Sequence, residues 1–123
     1  MSEPSKPVIY VKRSCPFCLK VKLFLLEAGL MDAVAIHEFE PGSQLEDDIR
    51  SELARQLDKV SFPAAQLEPD RYLTESDAII ALLAARVGRD PVDMPVLTSY
   101  VEGALKPMMA LWKENFELKA TAA

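Results

Sequence analysis

The chain has 123 residues, half of them hydrophobic, and a formal net charge of −5 at pH 7. That length makes one domain with enough apolar residues to bury a core. Its Lys and Arg residues are scattered, not striped, which argues against nucleic acid, and no apolar run approaches the ~18 residues of a membrane helix.

The first six residues, Met1 to Lys6, are polar and lack an apolar signal core, so a cytoplasmic location is expected. Pro7 to Val11 is β-branched and aromatic and reads as a buried strand. Lys12-Arg13-Ser14 breaks it. Cys15-Pro16-Phe17-Cys18 then opens an apolar stretch in which Phe17, Val21, Phe24, Leu25 and Ala28 recur at helical spacing. Pro16 suits a first helical position and Gly29 a helix stop.

Val34 to Phe39 reads as a second strand. Strand, helix and strand within about thirty residues form a βαβ unit, with parallel pairing and a right-handed crossover. After the turn Pro41-Gly42-Ser43, the residues Leu45, Ile49, Leu53 and Leu57 repeat every four positions. They predict an amphipathic helix with acidic residues in its first turn.

Phe62 to Leu67 and Arg71 to Leu73 predict a hairpin around Glu68-Pro69-Asp70. Thr74-Glu75-Ser76-Asp77 carries helix-cap residues, Ala78 to Val87 is helical, and Gly88 ends it. Residues 89–94 read as a linker after a domain of residues 1–88. A last helix over 95–119 carries one apolar stripe, Leu97, Val101, Ala104, Leu105, Met108, Trp112 and Phe116. Pro107 is expected to kink it. Tyr100, Met109, Leu111 and Leu118 lie off the stripe and suggest a second apolar face, either packed on the domain or at a homodimer interface. The order β-α-β-α-β-β-α plus a C-terminal helix is that of an α/β thioredoxin fold with a mixed four-stranded sheet.

The only two cysteines are three positions apart, and in the cytosol such a pair means redox chemistry or metal. Unpaired N–H groups at a helix N-terminus carry about half a positive charge, which stabilises a thiolate there. The thiolate is the attacking species in disulfide exchange. Cys15 is therefore the expected nucleophile, and Cys18, one turn along, the resolving thiol. Lys12 and Arg13 are near enough in sequence to add positive field. Structural zinc wants four ligands, and the one further candidate is His37, read instead as a solvent-facing or packed strand residue. No metal is expected.

These residues resemble the glutaredoxins and the N-terminal domain of glutathione transferases over about Pro7 to Ala85. Lys12 ahead of Cys15-Pro16-Phe17-Cys18 is similar to the glutaredoxin active-site pattern, with Phe17 where Tyr is commoner. The resemblance implies that Lys12 holds the glycine carboxylate of glutathione and that Phe17 belongs to the glutathione site. It implies a cis peptide at Phe62-Pro63, with the Phe62 backbone pairing with the cysteinyl backbone of glutathione. Leu73-Thr74-Glu75-Ser76-Asp77-Ala78-Ile79 resembles the transferase segment for the γ-glutamyl end. By that likeness Ser76 binds its carboxylate and Glu75 or Asp77 its ammonium. Bulky Phe62 and the lack of a Gly-Gly turn before the third helix depart from glutaredoxins towards transferases.

The reading that follows is a glutathione-dependent thiol-disulfide oxidoreductase, with glutathione as co-substrate and glutathionylated or disulfide-containing proteins as partners. The alternative is a transferase-like module that binds glutathione or a protein without turnover. A third possibility, an iron–sulfur cluster bridging two subunits through Cys15 and glutathione, is disfavoured in that family by Pro16.

Overall fold

The computed structural model describes residues 6–122. The first strand, β1 (Val8–Lys12), is central, so Ile9, Tyr10 and Val11 are all buried. It runs into α1 (Pro16–Glu27), where Pro16 opens the helix as expected, because the N–H it lacks would have had no partner there. Gly29 adopts φ +75°, and the Leu30 N–H reaches back to the Leu25 carbonyl at 2.8 Å, which closes the helix. The second strand, β2 (Ala35–Phe39), pairs parallel with β1 from Val8–Ala35 to Lys12–Phe39.

In α2 (Gln44–Leu53) the Ser43 hydroxyl accepts from the Glu46 N–H at 3.2 Å, and the Glu46 carboxylate accepts from the Gly42 N–H at 2.8 Å. The two bonds satisfy N–H groups that the helix itself leaves open. The four-residue leucine and isoleucine stripe is only half realised. Ile49 and Leu53 are buried, Leu45 is exposed, and Leu57 lies beyond the helix end. A period of four drifts around a 3.6-residue helix, so the first member turns off the core face.

The strands β3 (Ala64–Glu68) and β4 (Arg71–Thr74) form the antiparallel hairpin. β3 starts at Ala64 and not at Phe62, because Pro63 has no N–H for the ladder; the Phe62–Pro63 peptide is cis. α3 (Ser76–Val87) begins two residues before the expected Ala78 and ends at Gly88 with φ +66°. The sheet order is β2-β1-β3-β4, with β3 antiparallel to β1. One face packs α1, α3 and the start of the C-terminal helix on Ile9, Val11, Ala65 and Leu67. The other packs Ile49 and Leu53 of α2 on Tyr10, Phe39 and Ala64. This is the thioredoxin fold.

After a 3-10 turn at Pro91–Asp93, the last helix has three parts: α4 (Pro95–Tyr100), a π-helical turn (Val101–Leu105) and α5 (Lys106–Ala122). The expected kink at Pro107 is met differently. The register widens one turn earlier, the Lys106 N–H donating to the Val101 carbonyl five residues back. Pro107 thus joins a helix already shifted around its missing donor. The apolar stripe holds only in part. Leu97 and Leu105 are buried and Val101 and Met108 half-buried, whereas Ala104, Trp112 and Phe116 are exposed, Phe116 at 74%. α4 packs on α1, and the Trp112 ring of α5 lies 6.5 Å from that of Phe17 in the first turn of α1. Among the described residues no helix is long and apolar enough to cross a membrane.

Candidate functional site

Cys15 is the N-cap residue of α1, with extended backbone and no side-chain cap bond, and it is half-buried. Ser14 before it has φ +63°, a conformation that L residues adopt only under local constraint. Cys18 lies one turn in, 1% exposed, and its Sγ accepts the Lys12 N–H at 3.3 Å. Burial pushes the Cys18 thiol up to about 12, and its hydrogen bond with Cys15 adds to the rise, against the pull of the Lys12 N–H. An apolar surround penalises the anion more than one donor can offset.

The cations near the pair differ in availability. Arg13, expected to add positive field, is bound by Glu40 at 3.0 Å and lies 3.9 Å from Glu38. Lys22 pairs with Glu38 at 2.6 Å. Lys12 makes no ion pair within 4.0 Å with the described residues.

Two cavities flank the first turn of α1. One, of about 510 Å³, is lined by Phe17, Phe62, Pro63, Glu75, Ser76 and Asp77, together with Lys20 and, from the C-terminal helix, Leu105, Lys106 and Met109. The other, of about 310 Å³, holds Cys15 and Lys12 with Ser14, Pro16, Leu19, Lys22, Tyr100 and Met108. The residues singled out in the sequence are thus divided. The Phe62 and α3 groups share the larger cavity, Lys12 and Cys15 share the smaller, and Cys18 lies in the core beneath.

Ser76, 8% exposed, is the first residue of α3. The N-cap is Glu75, held at φ +79° and with no side-chain cap bond. Asp77, although mostly exposed, forms an ion pair with Lys20 of α1. The Phe62 ring meets Phe39 edge-on at 4.7 Å and lies under the Arg50 guanidinium at 5.0 Å. Its bulk is therefore absorbed by β2 and α2. His37 is exposed and edge-on to Tyr10, the solvent-facing alternative. Among the described residues no group of three or more His, Cys, Asp or Glu is placed to hold a metal.

Several lining residues escaped the sequence reading. Lys20 and Lys106 gave no signal beyond an ordinary polar helix position. By its spacing Tyr100 belongs to a second apolar face. In the structure its hydroxyl donates to the Pro16 carbonyl at 2.6 Å, and burial, with the Cys15 charge, pushes the phenol up. A polar-tipped aromatic a few residues before a helix proline was the one available hint.

Residues 9–91 match the family model of the glutathione S-transferase N-terminal domain. No curated protein sequence matches the chain. Among solved structures it is similar to glutathione transferase Omega 3C from Trametes versicolor, at 17% identity and TM-score 0.56, covering 81% of this chain and 43% of that one. A glutathione S-transferase from the Antarctic clam Laternula elliptica gives 21% and 0.54, with 83% and 46% covered. A glutathione transferase homologue from Drosophila mojavensis, solved with bound glutathione, gives 21% and 0.52, with 69% and 36% covered. These likenesses show the fold, and the chain spans less than half the length of each of the three. On the family match across residues 9–91, the chain belongs to the glutathione S-transferase N-terminal domain family.

Proposed function

We propose that this domain binds glutathione along the first turns of α1 and α3 and uses Cys15 to exchange glutathionyl mixed disulfides. The observation that carries the reading is Cys15 itself, half-exposed at the N-terminus of α1 and one residue from the α1 turn that separates the two cavities. Bound glutathione in the Drosophila mojavensis homologue, and in Ure2p in complex with glutathione, supports the ligand class.

The first N–H groups of α3 and the Ser76 hydroxyl receive the γ-glutamyl carboxylate, because a helix N-terminus attracts anions. Asp77 is engaged by Lys20, which leaves Glu75 for the α-ammonium. The Phe62 backbone pairs with the cysteinyl backbone, and Lys12 takes the glycine carboxylate. The Cys15 thiolate attacks the glutathionyl sulfur of a mixed disulfide. The old S–S bond breaks, the partner leaves as thiolate and takes a proton from water. A second glutathione thiolate then attacks the Cys15–glutathione disulfide, releases oxidised glutathione and restores Cys15. Cys18, buried and pushed up to about 12, stays protonated at neutral pH and serves as resolving thiol only when the helix start opens.

The test is glutathione-dependent reduction of a small glutathionyl mixed disulfide. The Cys15→Ser variant should be inactive, and an unchanged rate overturns the reading. A second reading, a glutathione-binding module without turnover, draws on the exposed Leu111, Trp112, Phe116 and Leu118 of α5, which suit a homodimer or partner interface. Tight glutathione binding without turnover, with a doubled mass in light scattering, would favour it.

A further inference from the structure

The cavity that holds Ser76 and Phe62 is lined by α1, the turn before β3, the start of α3 and the C-terminal helix. No residue of α2 lines it or its smaller neighbour. α2 lies on the opposite face of the sheet, where Ile49 and Leu53 pack on Tyr10, Phe39 and Ala64. Phe62 joins the two faces. It is half-buried and packs against both core clusters, the one beneath α1 and α3 and the one beneath α2.

The Phe62 ring is held from two sides. Phe39 of β2 meets it edge-on, with centroids 4.7 Å apart. Arg50 of α2 sets its guanidinium carbon 5.0 Å from the ring centroid. The face of an aromatic ring is electron-rich and attracts a cation, and a planar guanidinium can also stack on it. Arg50 is itself fixed. Its Nε donates to the Glu46 carboxylate at 2.7 Å, and the other oxygen of that carboxylate accepts the Gly42 N–H at 2.8 Å. A line of contacts therefore runs from the turn before α2, through Glu46 and Arg50, to the Phe62 ring. Phe62 also lines the cavity of about 510 Å³, so a ring released by Arg50 has open volume beside it.

We propose that Arg50 is a positioning residue for glutathione that acts through Phe62. It draws the ring towards α2, and so fixes the Phe62 backbone that pairs with the cysteinyl part of the ligand. The inference rests on the proposed glutathione reading and adds to it an element, α2, that lines no part of the site. Arg50 is not a catalytic residue, because its guanidinium is engaged by Glu46 and the ring and reaches neither cavity. Its effect belongs to binding, while Cys15 in the other cavity keeps its own surroundings. A partly exposed cation–π contact shifts an equilibrium by about two- to fivefold, which sets the size of the effect.

The test is glutathione affinity by calorimetry, with KM and kcat from the exchange assay beside it. Arg50→Ala should raise Kd and KM about two- to fivefold. It should leave kcat, and the rate of Cys15 alkylation by iodoacetamide, within about 1.5-fold of wild type. Arg50→Lys, which keeps a cation over the ring, should recover most of the affinity. The deciding comparison is a double-mutant cycle. In a Phe62→Val background, which lacks the ring, Arg50→Ala should change Kd by less than about 1.5-fold. A role confined to the stability of α2, through Glu46, would move Kd alike in both backgrounds. An unchanged Kd in folded Arg50→Ala, or the same rise with and without the ring, overturns the inference and leaves the glutathione reading standing. A wild-type chain that binds no glutathione overturns both. Activity in Cys15→Ser overturns the exchange step alone, since the affinity comparison needs no turnover.

Discussion

The Tyr100 hydroxyl sits 2.6 Å from the Pro16 carbonyl, although the two residues are 84 positions apart in the chain. Pro16 follows the half-buried Cys15 directly, so the C-terminal helix bears on the first turn of the helix that presents it. Glu27 makes the matching tie at the other end of α1, capping α4 across 70 residues. This pair of ties has a consequence for stability. Bonds to a charged acceptor and a helix cap each contribute on the order of 1–2 kcal/mol. Glu27→Ala should therefore lower unfolding stability by about 1–2 kcal/mol in urea titrations, and Tyr100→Phe by about 1 kcal/mol. A loss under about 0.5 kcal/mol for Glu27→Ala would mean that the cross-helix cap contributes nothing beyond what water supplies.

The two thiols should separate cleanly in reactivity. Cys15 is half-exposed and Cys18 is 1% exposed with its proton held. Iodoacetamide on the reduced native chain at pH 8 should label one residue, Cys15, by peptide mass mapping, and reach Cys18 only after unfolding. Labelling of Cys18 at a comparable native rate would contradict its placement in the core.

Cys18 also predicts a pH dependence. Its thiol rises from an ordinary 9.0 to about 12 on folding, because burial disfavours the anion. Between those values the unfolded chain has lost the proton and the folded chain has kept it, so unfolding becomes more favourable as pH rises. The stabilisation is full below about pH 9 and lost by about pH 12. Its slope is at most about 1.4 kcal/mol per pH unit. Urea titrations across that window should show a steeper decline for the wild type than for Cys18→Ala. Parallel curves would remove burial as the controlling term.

Ser76 lies inside α3 and not at its N-cap, so its two candidate roles come apart. Ser76→Ala should weaken glutathione binding about tenfold in calorimetry, the equivalent of one lost bond to a charged group, and shift the melting temperature little. A lowered melting temperature with unchanged affinity would make Ser76 a structural residue only.

Glu75 carries positive φ without being glycine, and such strain, of order 1–3 kcal/mol, collects at functional sites. Glu75→Gly should raise the denaturation midpoint while reducing glutathione affinity, because the backbone relaxes and the ammonium partner is lost. A variant that is less stable and binds normally would remove Glu75 from the site.

Features whose causes are local were legible in the sequence. Proline at the start of α1, glycines after α1 and α3, and the β-branched run of β1 act through the residue itself or its next neighbours. The strand and helix order followed from them. The leucines of α2 show the limit. Four-residue spacing predicts four buried side chains on one helix, yet Leu45 is exposed, and Leu57 reaches the same cluster only half-buried and from beyond the helix end. In the C-terminal helix the apolar stripe was visible, but not that its far half would stay exposed, with Trp112 meeting the Phe17 ring and Phe116 left in solvent.

The sequence by itself determined the groups on offer: two thiols one turn apart at a helix start, and a second helix start that bears a serine. Only tertiary structure decided how that chemistry is divided. Packing put Cys15 with Lys12 and Tyr100 in one cavity and Ser76 with Phe62 in another, sank Cys18 into the core, and gave Arg13 to Glu40 and Asp77 to Lys20. The reason is range. Caps, turns and periodicity act within about one helical turn, whereas these encounters join residues tens of positions apart, and no short-range signal encodes which faces the sheet will bring together.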